Sequence, residues 1–293
     1  MITAVAQEKR RQFQAFIEQL LAPEEAVVGV VGIGSLATGL MRPESDIDAV
    51  IFLHPYDLYI VPAEAIWVAE GDTFYSIFDD RYQEKGLSVD FARLPLSQWA
   101  DPDFAWPEGY RAELRNGWLA YDPTGQIAQL IARKTAYDEE TRLRRLDEAL
   151  IWLDQHLGER TPQQVWQALG PAIAFDRLQA AYDYLVAALF AYNRQWRIWR
   201  NREMGALLNL AWLPSHFADR VLLAANAPSL DFSGYLTRVE ALQSLFADLR
   251  EQLIANGDYA QMPIDQAFLR LNEEPGRAWN LEEWNKFRIA RKL

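Results

Sequence analysis

The chain has 293 residues, half of them hydrophobic, and a formal net charge of -12. Such a length predicts a substantial core in two domains, and the acidic total argues against a nucleic-acid partner, whose affinity rests on Lys and Arg neutralising phosphates. Cysteine is absent, which excludes disulfides and thiolate chemistry; the three histidines, His54, His156 and His216, are too scattered for a metal cluster, and no apolar run has the length of a membrane span, so a cytoplasmic protein without membrane attachment is expected.

In chain order, Phe13, Phe16, Ile17, Leu20 and Leu21 recur at helical spacing and predict an amphipathic helix that stops before Pro23 and covers one face of a sheet. The basic triplet Lys9-Arg10-Arg11 at its start reads as a solvated first turn. Val27 to Ile33 is an almost unbroken apolar run, as in a strand buried on both faces, and it ends at Gly34-Ser35. A polar connection carrying Thr38, Gly39, Arg42, Pro43 and Glu44 then leads into Ser45-Asp46-Ile47-Asp48 and a second apolar run, Ala49 to Leu53. Asp46 and Asp48 are two apart at a strand start, so they point to the same side of the sheet. Two carboxylates there repel one another and lose hydration, which calls for a positive charge between them. A hard divalent cation, Mg²⁺ or Mn²⁺, fits best, because it takes carboxylate oxygens and shares its shell with phosphates. Gly34 lets the backbone approach a phosphate, and backbone N–H groups and the Ser35 hydroxyl can donate to it.

After the break at His54-Pro55-Tyr56, the residues from Val61 to Glu70 predict a short helix beginning near Pro62, and Thr73 to Phe78 alternates loosely as a strand. The pair Asp79-Asp80 is a weaker metal candidate, since adjacent strand residues face opposite sides. Glu84-Lys85-Gly86 predicts a turn before an alternating strand on which Val89 and Phe91 face away from Asp90. Pro95 to Tyr110, rich in Pro, Trp and Asp, predicts a loop or lid, under which Trp99, Phe104 and Trp106 are expected to pack in preference to stacking on a base. Gly117 to Tyr121 follows as an edge strand, Asp122 to Gly125 as a turn, and Gln126 to Lys134 as a helix.

Beyond Ala136 the pattern is helical throughout: Glu139 to His156, Gln163 to Trp199 divided by Gly170-Pro171, then His216 to Asn226, Ser233 to Ala255, Pro263 to Leu271 and Leu281 to Arg291. The expected class is α+β, with a mixed sheet covered by helices in residues 1–135 and an all-α bundle in 136–293. At 100° per residue, Asp176, Asp183 and Arg194 fall on one line of the long helix. That line is either a solvated face with intrahelical ion pairs or the wall of a wet cleft. In the second case Asp176 or Asp183 receives a cationic acceptor or acts as a base, and Arg194, Arg197, Arg200 or Arg202 holds a triphosphate.

Gly34-Ser35, the spacer, and Ser45-Asp46-Ile47-Asp48 ahead of a hydrophobic strand resemble the signature of the nucleotidyltransferase superfamily related to DNA polymerase beta. The superfamily's third carboxylate corresponds to Asp90. In length and in its helical second half the chain looks like small-molecule enzymes such as the aminoglycoside nucleotidyltransferases, though the motif covers only about the first third. The resemblance implies that Asp46, Asp48 and Asp90 are catalytic and bind Mg²⁺ or Mn²⁺. It further implies that Gly34, Ser35 and Thr38, with Lys134 or Arg194, hold the triphosphate of ATP. A hydroxyl of a small acceptor, cationic ones included, would attack the α-phosphorus with pyrophosphate leaving, and the second domain would bind the acceptor. AMP transfer to a protein partner and a non-catalytic nucleotide-binding module remain as alternatives.

Overall fold

The computed structural model describes residues 2–83, 85–158, 160–272 and 281–291. The chain divides into two compact units, Met1–Ala136 and Tyr137–Leu293. In the first, helix α1 (Ala4–Phe16) runs into a π turn (Ile17–Leu21). There follow β1 (Val27–Gly32), α2 (Gly34–Thr38), β2 (Ile47–Leu53), β3 (Glu64–Val68), β4 (Thr73–Tyr75), α3 (Asp80–Gln83) and β5 (Leu87–Pro95). The unit ends with α4 (Leu96–Trp99), α5 (Glu108–Arg115), β6 (Trp118–Tyr121) and α6 (Gln126–Lys134).

The six strands form one mixed sheet in the order β4-β3-β5-β2-β1-β6. Strands β2 and β5 are parallel, and the other neighbours antiparallel. The two apolar runs lie side by side near the middle, as strands covered on both faces must. On one face, Ile47, Ala49 and Ile51 of β2 and Leu87, Val89 and Phe91 of β5 pack against Phe13, Phe16 and Ile17. Phe16 has no exposed surface, and its ring lies 5.6 Å from Phe91 and 4.9 Å from Trp67. Burying one such aromatic stabilises the fold by roughly 1.5–3 kcal/mol, which is enough to fix α1 on this face. On the other face, Val50, Phe52 and Leu94 pack with Trp99, Trp106, Leu114 and Ile127.

One expected helix is a strand instead. The segment from Val61 to Glu70 contains β3, whose Ala65, Ile66 and Trp67 are buried and which pairs with both β4 and β5. The helix-start signal at Pro62 lay within the segment, whereas its ladder partners, in β4 and β5, lie outside it. Glu84 of the expected turn lies outside the described residues. The segment from Pro95 to Tyr110 packs inward: Trp99 and Trp106 are buried, and the Trp106 indole donates to the Trp99 carbonyl at 2.9 Å.

The second unit contains α7 (Glu139–Leu157), α8 (Pro162–Tyr192), α9 (Arg200–Leu208), α10 (Phe217–Ala225), α11 (Phe232–Ala255), α12 (Pro263–Asn272) and α13 (Leu281–Ala290). Thr161 and Gln164 form a capping box at the start of α8, which satisfies two N–H groups of its first turn. The helix is broken at Gly170, whose φ of 78° is accessible to glycine and precedes Pro171. Leu146, Leu150 and Leu153 of α7 meet Leu178, Leu185 and Leu189 of α8 in a core that α11 completes with Leu242, Leu245 and Leu249. Helix α9 was not expected, because its nine residues, three of them charged, carry no apolar stripe. A mixed sheet with helices followed by helices makes the fold α+β, as expected. No described helix is long and apolar enough to cross a membrane.

Candidate active site

The parallel register of β2 and β5 sets Asp48 directly against Asp90. Both share parity with the residues packed on the α4–α6 face, while Ile47, Val89 and Phe91 point toward α1. Asp46, just ahead of β2, joins them, and one oxygen from each of the three carboxylates lies within 4.8 Å of the others. Burial pushes the Asp90 carboxyl above the usual carboxylate range, and the negative charge of Asp46 pushes it in the same direction. Three converging carboxylate oxygens, one with raised proton affinity, match the donor set that a hard divalent cation takes. The tyrosine of α5, Tyr110, feels the same charge: its phenol is raised first by burial and then by Asp90. Glu64, across from Asp90 in the antiparallel pairing of β3 with β5, adds an exposed carboxylate on the same face.

The Gly-Ser bend is placed by the sheet. Gly32 is paired with Ala49, and the next amide, that of Ile33, donates to the Asp48 carbonyl at 2.9 Å. Gly34 therefore starts alongside the carboxylates, with a φ of 60° that glycine adopts at no steric cost. Its N–H is occupied: it donates to Glu113 Oε2 at 3.0 Å, and Glu113, on α5, is 5% exposed. The amide expected to meet a phosphate is thus held by a buried carboxylate, and the glycine acts through its backbone conformation. Half-buried Ser35 follows in the first turn of α2. Thr38 is exposed at the far end of α2, its hydroxyl donating to the Ser35 carbonyl at 3.3 Å.

The basic triplet of α1 departs from its expected solvated role. Arg10 donates to the carbonyls of Leu36 at 3.0 and 2.7 Å and Ala37 at 2.8 Å, and lies over the Trp118 ring. A guanidinium on the last carbonyls of a short helix satisfies acceptors that have no partner within it. Lys9 is half-buried, and only Arg11 pairs in the open, with Glu8. Their spacing places three successive residues on three faces of α1, and only the sheet decides which is solvated.

Several expected ligands are engaged elsewhere. The Lys134 ammonium donates to the carbonyls of Asp101, Pro102 and Phe104 at 2.5, 3.1 and 2.9 Å. These contacts use all three of its donors, so Lys134 closes a loop and leaves no N–H for a triphosphate. Arg194 does not continue the line of Asp176 and Asp183, because α8 ends at Tyr192 and Arg194 has a φ of 55°; it pairs with Glu139 at 2.8 Å. Asp183 receives Arg197 and Arg200, each at 3.2 Å, and both arginines also pair with buried Glu203. At these positions the expected triphosphate and acceptor groups thus meet one another in an ion-pair cluster. Asp176 stays exposed on α8. Of the site residues that the sequence did not suggest, Glu113 and Tyr110 are three apart on α5 and so share a face; a glutamate between Ala112 and Leu114 was the available signal.

Residues 10–95 match the family described as the nucleotidyltransferase domain. That stretch, which holds the Gly34-Ser35 bend and Asp46, Asp48 and Asp90, therefore carries a nucleotidyltransferase domain, as its motif led one to expect, and this supports a transferase. It is also similar to a nucleotidyltransferase-like protein from Exiguobacterium sibiricum 255-15, at 10% identity and a TM-score of 0.41 over 97% of this chain and 92% of that one. No curated protein matches the chain.

Proposed function

We propose that the chain moves a nucleoside monophosphate, AMP from ATP, onto the hydroxyl of a small acceptor and releases pyrophosphate, with residues 1–135 as the catalytic domain and 136–293 binding the acceptor. The observation that carries this reading is the convergence of Asp46, Asp48 and Asp90, with oxygens within 4.8 Å of one another, beside the Gly34-Ser35 bend. Those three carboxylates would hold Mg²⁺ or Mn²⁺, which supplies charge neutralisation to the phosphates when bound. Asp90 either holds this ion with Asp46 and Asp48 or takes the proton of the attacking hydroxyl. Ser35 donates its hydroxyl to a phosphate oxygen, and Glu113 fixes the bend through the Gly34 amide. In the helical unit, the exposed carboxylate of Asp176 is available to a cationic acceptor. Alignment is the protein's main contribution, since positioning two reactants removes a large part of the entropic barrier.

The test is pyrophosphate release from each nucleoside triphosphate with Mg²⁺ or Mn²⁺ across a panel of hydroxylated amines, using α-labelled nucleotide to separate a small product from a labelled protein. Release with ATP that a chelator abolishes is expected. No release with any nucleotide and acceptor would remove the transferase chemistry assigned to these residues.

A further inference from the structure

A cavity of about 1000 Å³ opens at the end of the sheet where β2 and β5 begin. Its lining includes Lys9 and Gln12 of α1, Glu44 of the connection, Trp67 of β3, and Lys85 and Ser88 at the entry to β5. The volume is in the range of small-molecule sites. Two ammonium groups against one carboxylate among these residues make the lining net positive in a chain whose net charge is -12.

None of the three carboxylates lines the cavity, but two of its lining residues lead into them along the chain. Glu44 is two residues before Asp46. Ser88 is two before Asp90 on the same strand face, about 7 Å away at strand rise. The charge of Asp46 acts on Lys9, partly opposing the larger effect of burial, which lowers the ammonium. Among the described residues no carboxylate lies within ion-pair distance of Lys9. A half-buried ammonium facing a cavity gains most from an anion that enters it. Two of the groups expected to grip phosphate are committed elsewhere: the Gly34 amide to Glu113, and Lys134 to three carbonyls.

We propose that this cavity is an anion subsite in which the Lys9 ammonium, supported by Lys85, Gln12 and the Ser88 hydroxyl, holds a phosphate-bearing part of a substrate beside the Asp46-Asp48-Asp90 cluster. Naming phosphate as the anion rests on the transferase reading; the positive cavity does not. The phosphates can belong to the nucleotide donor or to a phosphorylated acceptor.

The probe is inorganic pyrophosphate, titrated calorimetrically into the full chain without divalent cations. Saturable uptake at one site is expected, weakened roughly tenfold or more by Lys9→Gln and restored by Lys9→Arg. Arg11→Gln, with the same charge change on the solvated side of α1, should bind as the unaltered chain does, and Lys85→Gln, on another wall, should weaken uptake several-fold. No saturable uptake, or equal binding by Lys9→Gln and Arg11→Gln, overturns the subsite. If Lys9→Gln fails to fold, Lys85→Gln against Arg11→Gln decides in the same way. Displacement of pyrophosphate by ATP but not by AMP assigns the subsite to the donor's phosphates; simultaneous binding of ATP and pyrophosphate assigns it to a phosphorylated acceptor. Uptake that depends on Lys9 in a chain that releases no pyrophosphate from any nucleotide keeps the subsite and removes the transferase reading.

Discussion

In the helical unit Asp147, Asp183 and Glu203 face arginines, whereas in the sheet unit Asp46, Asp48 and Asp90 face one another. Asp147, 2% exposed, accepts from the Tyr259 hydroxyl at 2.6 Å and from Arg270 at 2.8 and 2.6 Å, which ties α7 to α12. Arg142, also buried, joins Glu139 to Asp258. Charges of this kind are neutralised inside the fold and serve to align helices. Those of the carboxylate cluster gather like charges on one face of a sheet, an arrangement that costs stability and is useful when a cation arrives from outside. The same residue type is therefore paired in one unit and, in the proposed function, chemical in the other, and the distinction lies in what each carboxylate faces.

The comparison breaks most visibly at Asp147. Asp147→Ala leaves Arg270 and Tyr259 without their acceptor and should cost about 3–5 kcal/mol, at the lower end because Arg270 is partly exposed; urea unfolding followed by circular dichroism measures it. Asp48→Asn should do the reverse, lowering nucleotide transfer by more than about a hundredfold, since even the partners of metal ligands cost about 10–100-fold. Its unfolding midpoint should stay level or rise, and a large loss of stability would place Asp48 with the structural acids. Gly34→Ala forces a side chain into a left-handed conformation and should cost roughly 1–2 kcal/mol, with transfer reduced as the Ser35 bend shifts. The smallest expected effect concerns pH. The Thr141 amide holds the Asp138 carboxyl at the start of α7 below its ordinary range. A depressed carboxylate stabilises the fold above its unfolded value, and that stabilisation is lost as pH falls through the folded value. Asp138→Asn should therefore narrow the difference in urea midpoint between pH 7 and pH 3.

The site's two central strands were legible because their signal is local. Apolar runs flanking Gly34-Ser35 and Ser45-Asp46-Ile47-Asp48 state both the strand and the face, since a period of two puts Asp46 and Asp48 on one side. The helical bundle was legible for the same reason, through leucines at spacings of three and four. Strand β3 was not, because a five-residue segment next to a proline is decided by its ladder partners. The contacts of Lys134, Arg194 and Asp183 were illegible together: each is a charged residue whose surroundings depend on which carbonyl or counter-charge lies within 4 Å, and no spacing rule reports that. Glu113, which holds Gly34 across 79 residues of chain, was hidden for the same reason.

The order of apolar and polar residues by itself determined that a buried strand would end in a glycine-serine bend, that two aspartates would share a face on the next strand, and that a helical bundle would follow. Tertiary structure alone decided that Asp90 would stand opposite Asp48, through the parallel register of β2 and β5. It also decided which cations would be consumed by carbonyls and carboxylates and which, like Lys9, would line a cavity. The physical reason is range. Hydrophobic periodicity acts between residues a few positions apart, whereas register, ion pairing and burial of charge depend on segments that meet only once the chain has folded.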